Sequence, residues 1–346
     1  MLTFAEKLIY SYKAMEFITK VELPKQQVGI KHSDTLMLWG SCFAENIGKK
    51  LTDNKFDNIL NPFGILYNPM SIALAIRQIL AGKQYTADDL VFRNGEWFSY
   101  MHHSVFSDSC RDECLKRINV HLQAAKEYLK HAGWMILTWG TAWVYRLATN
   151  QMIVGNCHKM PDKTFCRSRV EPCDIFTEWQ TLIKEIRAIN PRVKFLFTVS
   201  PIRHAKDGMH GNQLSKSTLL LAIDQICTHE ENCYYFPSYE ILMDELRDYR
   251  FYADDMLHPS PLAINYIWEC FSETYFNEST KAIMKEWEKI RKGLSHRPFD
   301  TQSDAHQRFL REILLKIEML KEKIPYLDVE NEIKICQAQL KKSPQS

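Results

Sequence analysis

The 346-residue chain is 45% hydrophobic and nearly neutral, with 44 basic and 42 acidic side chains. This composition allows one large buried core, and the charge balance argues against a surface that binds nucleic-acid phosphates. No apolar run reaches the roughly 18 residues that a membrane helix needs, and charged side chains interrupt residues 1–20, so we expect neither a membrane span nor a signal peptide. The ten cysteines then favour reduced thiols and a cytoplasmic location.

Three short apolar runs predict buried strands, at 36–39, 134–139 and 193–199. Helical patterns lie in the intervening sequence, at 71–80, 112–131 and 175–189. Strands that alternate with helices predict a mostly parallel sheet covered by helices. The expected fold class is therefore α/β, as a three-layer α/β/α sandwich.

Residues of distinctive chemistry follow each of these strands. They are Gly40-Ser41-Cys42 after the first, Gly140-Thr141 after the second, and Ser200-Pro201-Ile202-Arg203-His204 after the third. Ligands of open parallel sheets bind at the carboxyl ends of the strands. We therefore expect the three strand ends to converge on one crevice.

From about Lys281 onward, the sequence shows the pattern of charged and apolar residues that is typical of amphipathic helices. A polar break at 296–304 suggests a main domain at 1–295 and a C-terminal helical extension at 296–346, bent near Pro325. The extension could pack on the main domain as a lid or brace, or it could mediate oligomerisation. The sequence leaves both alternatives open.

Ser41 is the first candidate for a catalytic residue. It ends the first predicted strand and precedes a helical pattern, so its hydroxyl can point into the crevice. Its N–H can face a developing oxyanion, because the first N–H groups of a helix have no partner within the helix. The alternative is that Ser41 only caps the helix.

A serine nucleophile needs a histidine base that is held by a carboxylate. Asp255 and His258 stand in an Asp-x-x-His-Pro arrangement that ends at Pro259. Their spacing on a turn lets the carboxylate approach the imidazole and fix its tautomer. The adjacent Asp254 competes for the carboxylate role, and a solvated polar turn before a helix is the alternative for the whole segment.

Metal binding is the other chemistry that the cysteines could serve. The nearest ligand pairs are Cys110 with Cys114 and Cys157 with His158. Neither has a matching second pair at the spacing of a zinc site. The sequence therefore predicts no metal.

Together these elements resemble the GSCFA domain family, a bacterial branch related to SGNH or GDSL-type lipases and esterases. The family is named after the sequence G-S-C-F-A, which is present here as Gly40-Ser41-Cys42-Phe43-Ala44. The resemblance covers roughly residues 17–276. Further segments that look like the family follow in the expected order, at 61–69, 140–145, 156–159, 200–204 and 255–259. The resemblance implies an SGNH-hydrolase-like fold and an enzyme that acts on ester bonds.

The resemblance also implies roles for individual residues. Ser41 matches the block I serine of the wider superfamily, and Asp255 and His258 match its late Asp-x-x-His block. Gly64 is the best match to the block II glycine, whose N–H helps to bind the oxyanion. The N–H groups of Ser41 and Gly64 are thus expected in the oxyanion hole.

The chain departs from the superfamily in block III. Gly140 is present, but Ala142 stands where SGNH enzymes carry an asparagine, and its methyl group cannot donate to an oxyanion. Asn156, Thr141 and His158 are candidates for the missing donor. We favour Asn156 because its amide restores the missing chemistry, and a turn asparagine is its alternative role.

Arg203 and His204 could bind an anionic or hydroxyl-rich substrate, or they could hold their loop through Asp207. The expected function is a serine esterase or deacylase for a small-molecule or carbohydrate ester, which needs no metal or organic cofactor. An alcohol in place of water would make the protein an O-acyltransferase. The rival is a catalytically inactive carbohydrate-binding or scaffold protein with the same fold, which the intact serine, histidine and aspartate set opposes.

Overall fold

A five-stranded sheet lies at the centre of the computed structural model, which describes residues 18–24, 28–296 and 303–340. The predictions for residues 1–20 and for the break at 296–304 therefore fall largely outside the described residues. Strands within the described part are β1 (Leu36–Gly40), β2 (Asn58–Leu60), β3 (Val91–Arg93), β4 (Glu96–Phe98), β5 (Trp134–Trp139), β6 (Trp143–Leu147), β7 (Ile153–Val154), β8 (Phe165–Arg169), β9 (Lys194–Val199) and β10 (Cys233–Tyr235).

The helices of the described residues connect and cover these strands. They are α1 (Cys42–Asp53), α2 (Pro69–Leu80), α3 (Arg111–His131), α4 (Pro172–Ile189), α5 (Gly208–His229), α6 (Ser238–Glu240), α7 (Pro261–Tyr275), α8 (Glu278–Ser295), α9 (Asp304–Lys323) and α10 (Glu330–Gln339). Among the described residues, none of these helices combines the length and the apolar character that crossing a membrane requires.

The central sheet has the strand order β10-β9-β5-β1-β2, and each neighbouring pair is parallel. Alternate side chains of its strands enter different cores, because successive residues of a strand face opposite sides of the sheet. In β1, Met37 and Trp39 join a core with α2 to α5, whereas Leu36 and Leu38 join a core with α1 and α7. The predicted α/β class, with its mostly parallel sheet and covering helices, is confirmed.

A small antiparallel sheet between β5 and α4 was not predicted. Its strand order is β7-β6-β8, and Tyr145 of β6 lies directly opposite Arg167 of β8. Residues across an antiparallel pair share a face of the sheet. Trp143, two residues before Tyr145, lies on that same face.

A buried histidine packs under the turn that follows β2. The ring of His102 stacks on Phe63 with 4.4 Å between the ring centroids, and the residue is 1% exposed. Neither of its ring nitrogens has a hydrogen-bond partner among the described residues. Burial lowers the pKa of His102 to about 3, so the ring is neutral at ordinary pH.

Helices α8 to α10 form a separate hydrophobic cluster that includes Trp287 and Ile317. The indole Nε1 of Trp287 donates to the carbonyl oxygen of Asp53 at 2.8 Å, and Lys55 pairs with Glu332 at 2.7 Å. The C-terminal helices thus brace the end of α1. Because α8 reaches both this cluster and the main core, the domain division at 295/296 stays a prediction.

Candidate active site

The turn between β1 and α1 requires glycine at position 40 and presents Ser41. Gly40 has a φ of +139°, and a Cβ added there would lie 2.1 Å from the carbonyl oxygen of Thr138. Its N–H donates to Oδ1 of Asn61 at 2.8 Å, which holds this turn to the end of β2. Ser41 therefore has a fixed backbone position at the carboxyl end of the sheet.

The Ser41 hydroxyl takes part in two hydrogen bonds. Its Oγ accepts from the N–H of Phe43 at 3.3 Å, as an N-cap does, and it donates to Oγ of the fully buried Ser200 at 3.0 Å. The backbone N–H groups of Ser41 and Cys42 donate to no described residue. They remain available for an oxyanion, as expected at a helix start.

Asp255 and His258 form the expected carboxylate–imidazole pair. Oδ2 of Asp255 lies 2.5 Å from Nδ1 of His258, and Oδ1 accepts from the N–H groups of Leu257 and His258, each at 2.9 Å. The two N–H groups hold the pKa of the Asp255 carboxyl at about 2. Asp254 is exposed and has no such bond, so the geometry distinguishes the two carboxylates.

Arg203 braces the loop that carries this pair. Its guanidinium donates to the carbonyl oxygen of Met256 and lies 4.4 Å from the Tyr252 ring centroid, while its N–H donates to the carbonyl oxygen of Leu257 at 3.4 Å. Asp207, the loop partner suggested from the sequence, instead pairs with Arg167. Arg203 holds a different loop from the one expected.

One pocket of about 490 Å³ brings most of the predicted site residues together. Ser41, Asn156, Arg203, His204 and His258 line it. This volume suits a small molecule. Nε2 of His258 makes no hydrogen bond with Ser41, because the Ser41 hydroxyl is turned toward Ser200.

Gly64 does not line this pocket, and its N–H is already engaged. The N–H donates to the carbonyl oxygen of Asn61 at 2.7 Å, closing the turn after β2. The glycine is needed there for packing, because its φ is +75° and an added Cβ would lie 2.3 Å from Cβ of His103. The expected contribution of Gly64 to the oxyanion hole does not fit this geometry.

The three candidates for the block III donor differ in what their side chains already bind. Thr141 Oγ1 contacts the Ser215 hydroxyl and accepts from the N–H of Trp143. Nε2 of His158 contacts two backbone carbonyl oxygens, and His158 does not line the pocket. Asn156 accepts from the N–H of His158 through Oδ1 at 2.8 Å, and its Nδ2 has no partner among the described residues. Asn156 alone therefore offers a free donor.

A buried lysine lies beneath the pocket and was not predicted. Nζ of Lys216 donates to the carbonyl oxygens of Gly140 at 2.7 Å and Ser200 at 2.6 Å. Burial lowers its pKa to about 7. Burial, together with the charge of Lys216, lowers the pKa of His204 to about 4. His204 is thus neutral at neutral pH.

Cys42 lines the pocket beside Ser41 and is the nearest rival nucleophile. Burial raises the pKa of its thiol, which disfavours the reactive thiolate. Ser41 therefore has the better position for a nucleophile. Among the described residues, no group of three or more histidine, cysteine or acidic side chains is arranged to hold a metal ion.

The face of the antiparallel sheet forms one wall of the pocket, with Lys206 beside it. We call Trp143, Tyr145, Arg167 and Lys206 the cationic wall. The Arg167 guanidinium lies 4.1 Å from the Trp143 ring centroid, and Lys206 Nζ donates to the Tyr145 hydroxyl at 3.2 Å. Sequence reasoning missed Arg167, because its approach to the pocket depends on strand pairing.

Comparison with protein families identifies the chain. The model of the GSCFA family matches residues 35–271. The chain belongs to the GSCFA family. The model of the GSCFA-domain protein C-terminal domain matches residues 287–342, so this GSCFA protein carries the C-terminal unit as well, and the match begins within α8. No curated protein matches the chain.

Proposed function

We propose that this protein is a serine hydrolase of ester bonds, an esterase or deacylase, with Ser41 as nucleophile, His258 as base and Asp255 as the carboxylate that orients the base. The observation that carries the proposal is the Asp255–His258 pair at 2.5 Å, on the same pocket as a helix-capping serine. A relation to SGNH or GDSL-type enzymes, a bacterial origin and a cytoplasmic location belong to the same proposal.

The reaction begins when the Ser41 hydroxyl turns from Ser200 to His258. Because Nδ1 of His258 faces an ionised carboxylate, this nitrogen carries the proton and Nε2 is the free base. Ser41 Oγ attacks the ester carbonyl as Nε2 takes its proton, and the imidazolium then protonates the leaving alcohol. Water attacks the acyl-enzyme in the second half.

The tetrahedral intermediates carry an oxyanion that needs hydrogen-bond donors. The unpaired N–H groups of Ser41 and Cys42, together with the amide of Asn156, are the donors that we assign to it. The Cys42 N–H takes the place first given to Gly64. No step requires a metal or an organic cofactor.

O-acyl transfer is the second outcome of the same chemistry, since a sugar hydroxyl can replace water at the acyl-enzyme. Lys206, Asn156 and Thr141 give the pocket wall polar side chains that suit a hydroxylated acceptor. The ratio of acetate to acetyl sugar released from a p-nitrophenyl acetate reaction with added sugars separates the two outcomes. An inactive binding protein would yield neither product.

Ser41→Ala tests the proposal directly. We expect this variant to lose p-nitrophenyl acetate turnover by at least about a thousandfold, as for other lost triad members, and to lose labelling by a fluorophosphonate probe. The matched Cys42→Ala variant should retain both. Near-normal turnover by folded Ser41→Ala, with loss in Cys42→Ala, would reassign the nucleophile.

A further inference from the structure

The pocket contains more positive than negative charge. Arg167, Arg203 and Lys206 line it, and the one carboxylate among its described lining residues is Asp207. Asp207 is committed to Arg167 in an ion pair. Neither Arg203 nor Lys206 forms an ion pair among the described residues, and Asp162, which does not line the pocket, acts on Lys206 only through its charge.

These cations differ in the partners that their N–H donors already have. Arg203 is committed to the backbone of the Asp255–His258 loop. Lys206 is exposed and bonds only to a neutral phenol, that of Tyr145. Its ammonium group has three donors, so at least one remains for a ligand. A ligand can thus bind Lys206 without breaking an ion pair or a hydrogen bond to the backbone.

Two of these cations, Arg167 and Lys206, lie beside the ring of Tyr145 in the cationic wall. Tyr145 lies opposite Arg167 in the sheet register, and the guanidinium lies within 5.3 Å of the Tyr145 ring centroid. Lys206 Nζ lies 5.6 Å from the same centroid. Two cations thus lie beside one aromatic ring, and each can attract an anionic group of a ligand that contacts this wall.

We propose that the cationic wall is a subsite for a carboxylate on the ester substrate. This inference rests on the proposed function, because it names the class of ester that Ser41 receives. The carboxylate can belong to the acyl part, as in a succinyl ester, or to the alcohol part, as in an acetylated uronic acid.

Matched esters test the subsite. For the acyl part, kcat/KM is compared for the p-nitrophenyl esters of succinate and of isocaproate, which have similar shape but differ in charge. For the alcohol part, acetate release is compared for O-acetyl glucuronate and O-acetyl glucose. We expect an anionic preference of about tenfold in one of these pairs, weakened by added salt. The pair that shows it identifies the part that carries the charge.

Lys206→Gln removes the free charge and keeps a polar side chain. We expect it to reduce the anionic preference, measured as the ratio of the two kcat/KM values within a pair, to about twofold or less. Lys163→Gln is the matched control, since Lys163 is exposed and does not line the pocket, and it should keep the preference. An equal preference in the wild type and in Lys206→Gln, or none in the wild type, would overturn the subsite.

Failure of the proposed function gives a different result. In that case no ester is turned over and the fluorophosphonate does not label Ser41. Binding then tests the subsite alone, through the Tm shifts caused by succinate against succinamide and by glucuronate against glucose. One of the anions should raise Tm more than its neutral partner, and Lys206→Gln should remove the difference. Equal shifts within both pairs would overturn the inference without reference to turnover.

Discussion

The hydrogen bonds of Asp255 explain why this carboxylate, and not the neighbouring Asp254, can hold the imidazole of His258. Two backbone N–H groups fix Oδ1, so the carboxylate is held with Oδ2 facing Nδ1 of His258. With a pKa of about 2, Asp255 stays ionised at every pH above about 4. The pH dependence of turnover near neutrality therefore reports another group.

We expect Asp255→Asn to lower kcat/KM by about a hundredfold or more, because an amide can turn its N–H toward His258 and favour the wrong tautomer. Asp254→Asn removes the same charge one residue earlier and should change kcat/KM by less than about twofold, since Asp255 and not Asp254 contacts the His258 ring. Steady-state kinetics on the two variants measures both. Greater damage from Asp254→Asn would mean that the loop is oriented differently during catalysis.

Asn156→Ala should lower kcat by about a hundredfold with little change in KM, as for other lost oxyanion donors. The amide contacts the charge that develops in the transition state more strongly than the ground-state carbonyl. Thr141→Ser, which keeps the hydroxyl that Trp143 N–H uses, is the control. If kcat/KM falls by the same factor but the change lies entirely in a higher KM, Asn156 is instead a substrate-binding residue.

At the residue level, the sequence predicts which residue types could carry the reaction better than it predicts where their N–H groups and side chains point. Ser41, Asp255 and His258 could be selected because their types and spacing match one reaction. Gly64 could not be placed correctly, since whether its N–H faces the pocket or the carbonyl of Asn61 depends on turn geometry. The amide of Asn156 makes it a candidate from the sequence, but its advantage over Thr141 lies in hydrogen bonds that form only in the folded chain.

Lys216 ties together the ends of two neighbouring strands, because the carbonyls of Gly140 and Ser200 directly follow β5 and β9. It faces the ring of Tyr239 at 5.5 Å and influences His204 through its charge. Ser200 in turn holds the Ser41 hydroxyl. The lysine thus supports the floor of the pocket from below.

We expect Lys216→Met to destabilise the protein by about 2 kcal/mol, because two buried carbonyls lose a donor. The cost should grow with pH. Burial lowers the pKa of Lys216 from 10.5 to about 7 in the native state, so between these values only the unfolded chain binds the proton, and the lysine's contribution to stability rises by up to about 1.4 kcal/mol per pH unit. Urea unfolding of both proteins at about pH 7 and pH 9 measures this; parallel pH dependences would contradict it.

The three inner strands of the central sheet are predictable from the sequence, whereas its short edge strands β2 and β10 and the strands of the cationic wall are not. Strands β1, β5 and β9 are buried on both faces and read as continuous apolar runs. Strands β6 and β8 contain arginines such as Arg146 and Arg167, so no continuous apolar run marks them. Lys216 was missed because a lysine in a helical pattern is normally solvent-exposed.

Across the whole molecule, helix α1 connects Ser41 to the C-terminal helices. Ser41 caps its first turn, and Trp287 and Lys55 attach the C-terminal helices near its last turn. These contacts favour the brace among the alternatives drawn from the sequence. Association of two chains through the same helices stays a prediction.

Buried neutral histidines should make the whole fold sensitive to acid. Burial lowers the pKa of His102 to about 3 and of His204 to about 4, below the ordinary value of 6.5. The unfolded chain therefore binds protons first as pH falls below about 6.5, and each histidine removes up to about 1.4 kcal/mol of stability per pH unit until its native pKa is reached.

The replacement His102→Phe should reduce this loss, because phenylalanine can stack on Phe63 without titrating. Urea unfolding at about pH 7 and pH 5 gives the slope for each protein, and His131→Gln, a change at an exposed histidine, should leave the slope as in the wild type. An unchanged slope in His102→Phe would mean that other groups cause the acid sensitivity.

The buried ring of His102 also determines how activity returns after exposure to acid. Acid of about pH 3 charges this ring within its apolar packing against Phe63, and a buried charge without a partner favours opening of the core. Recovery on neutralisation would then follow the time course of refolding rather than that of proton transfer, which is faster by orders of magnitude. A stopped-flow return to neutral pH would show a lag before ester cleavage resumes, and the length of that lag would measure how slowly the core closes over His102.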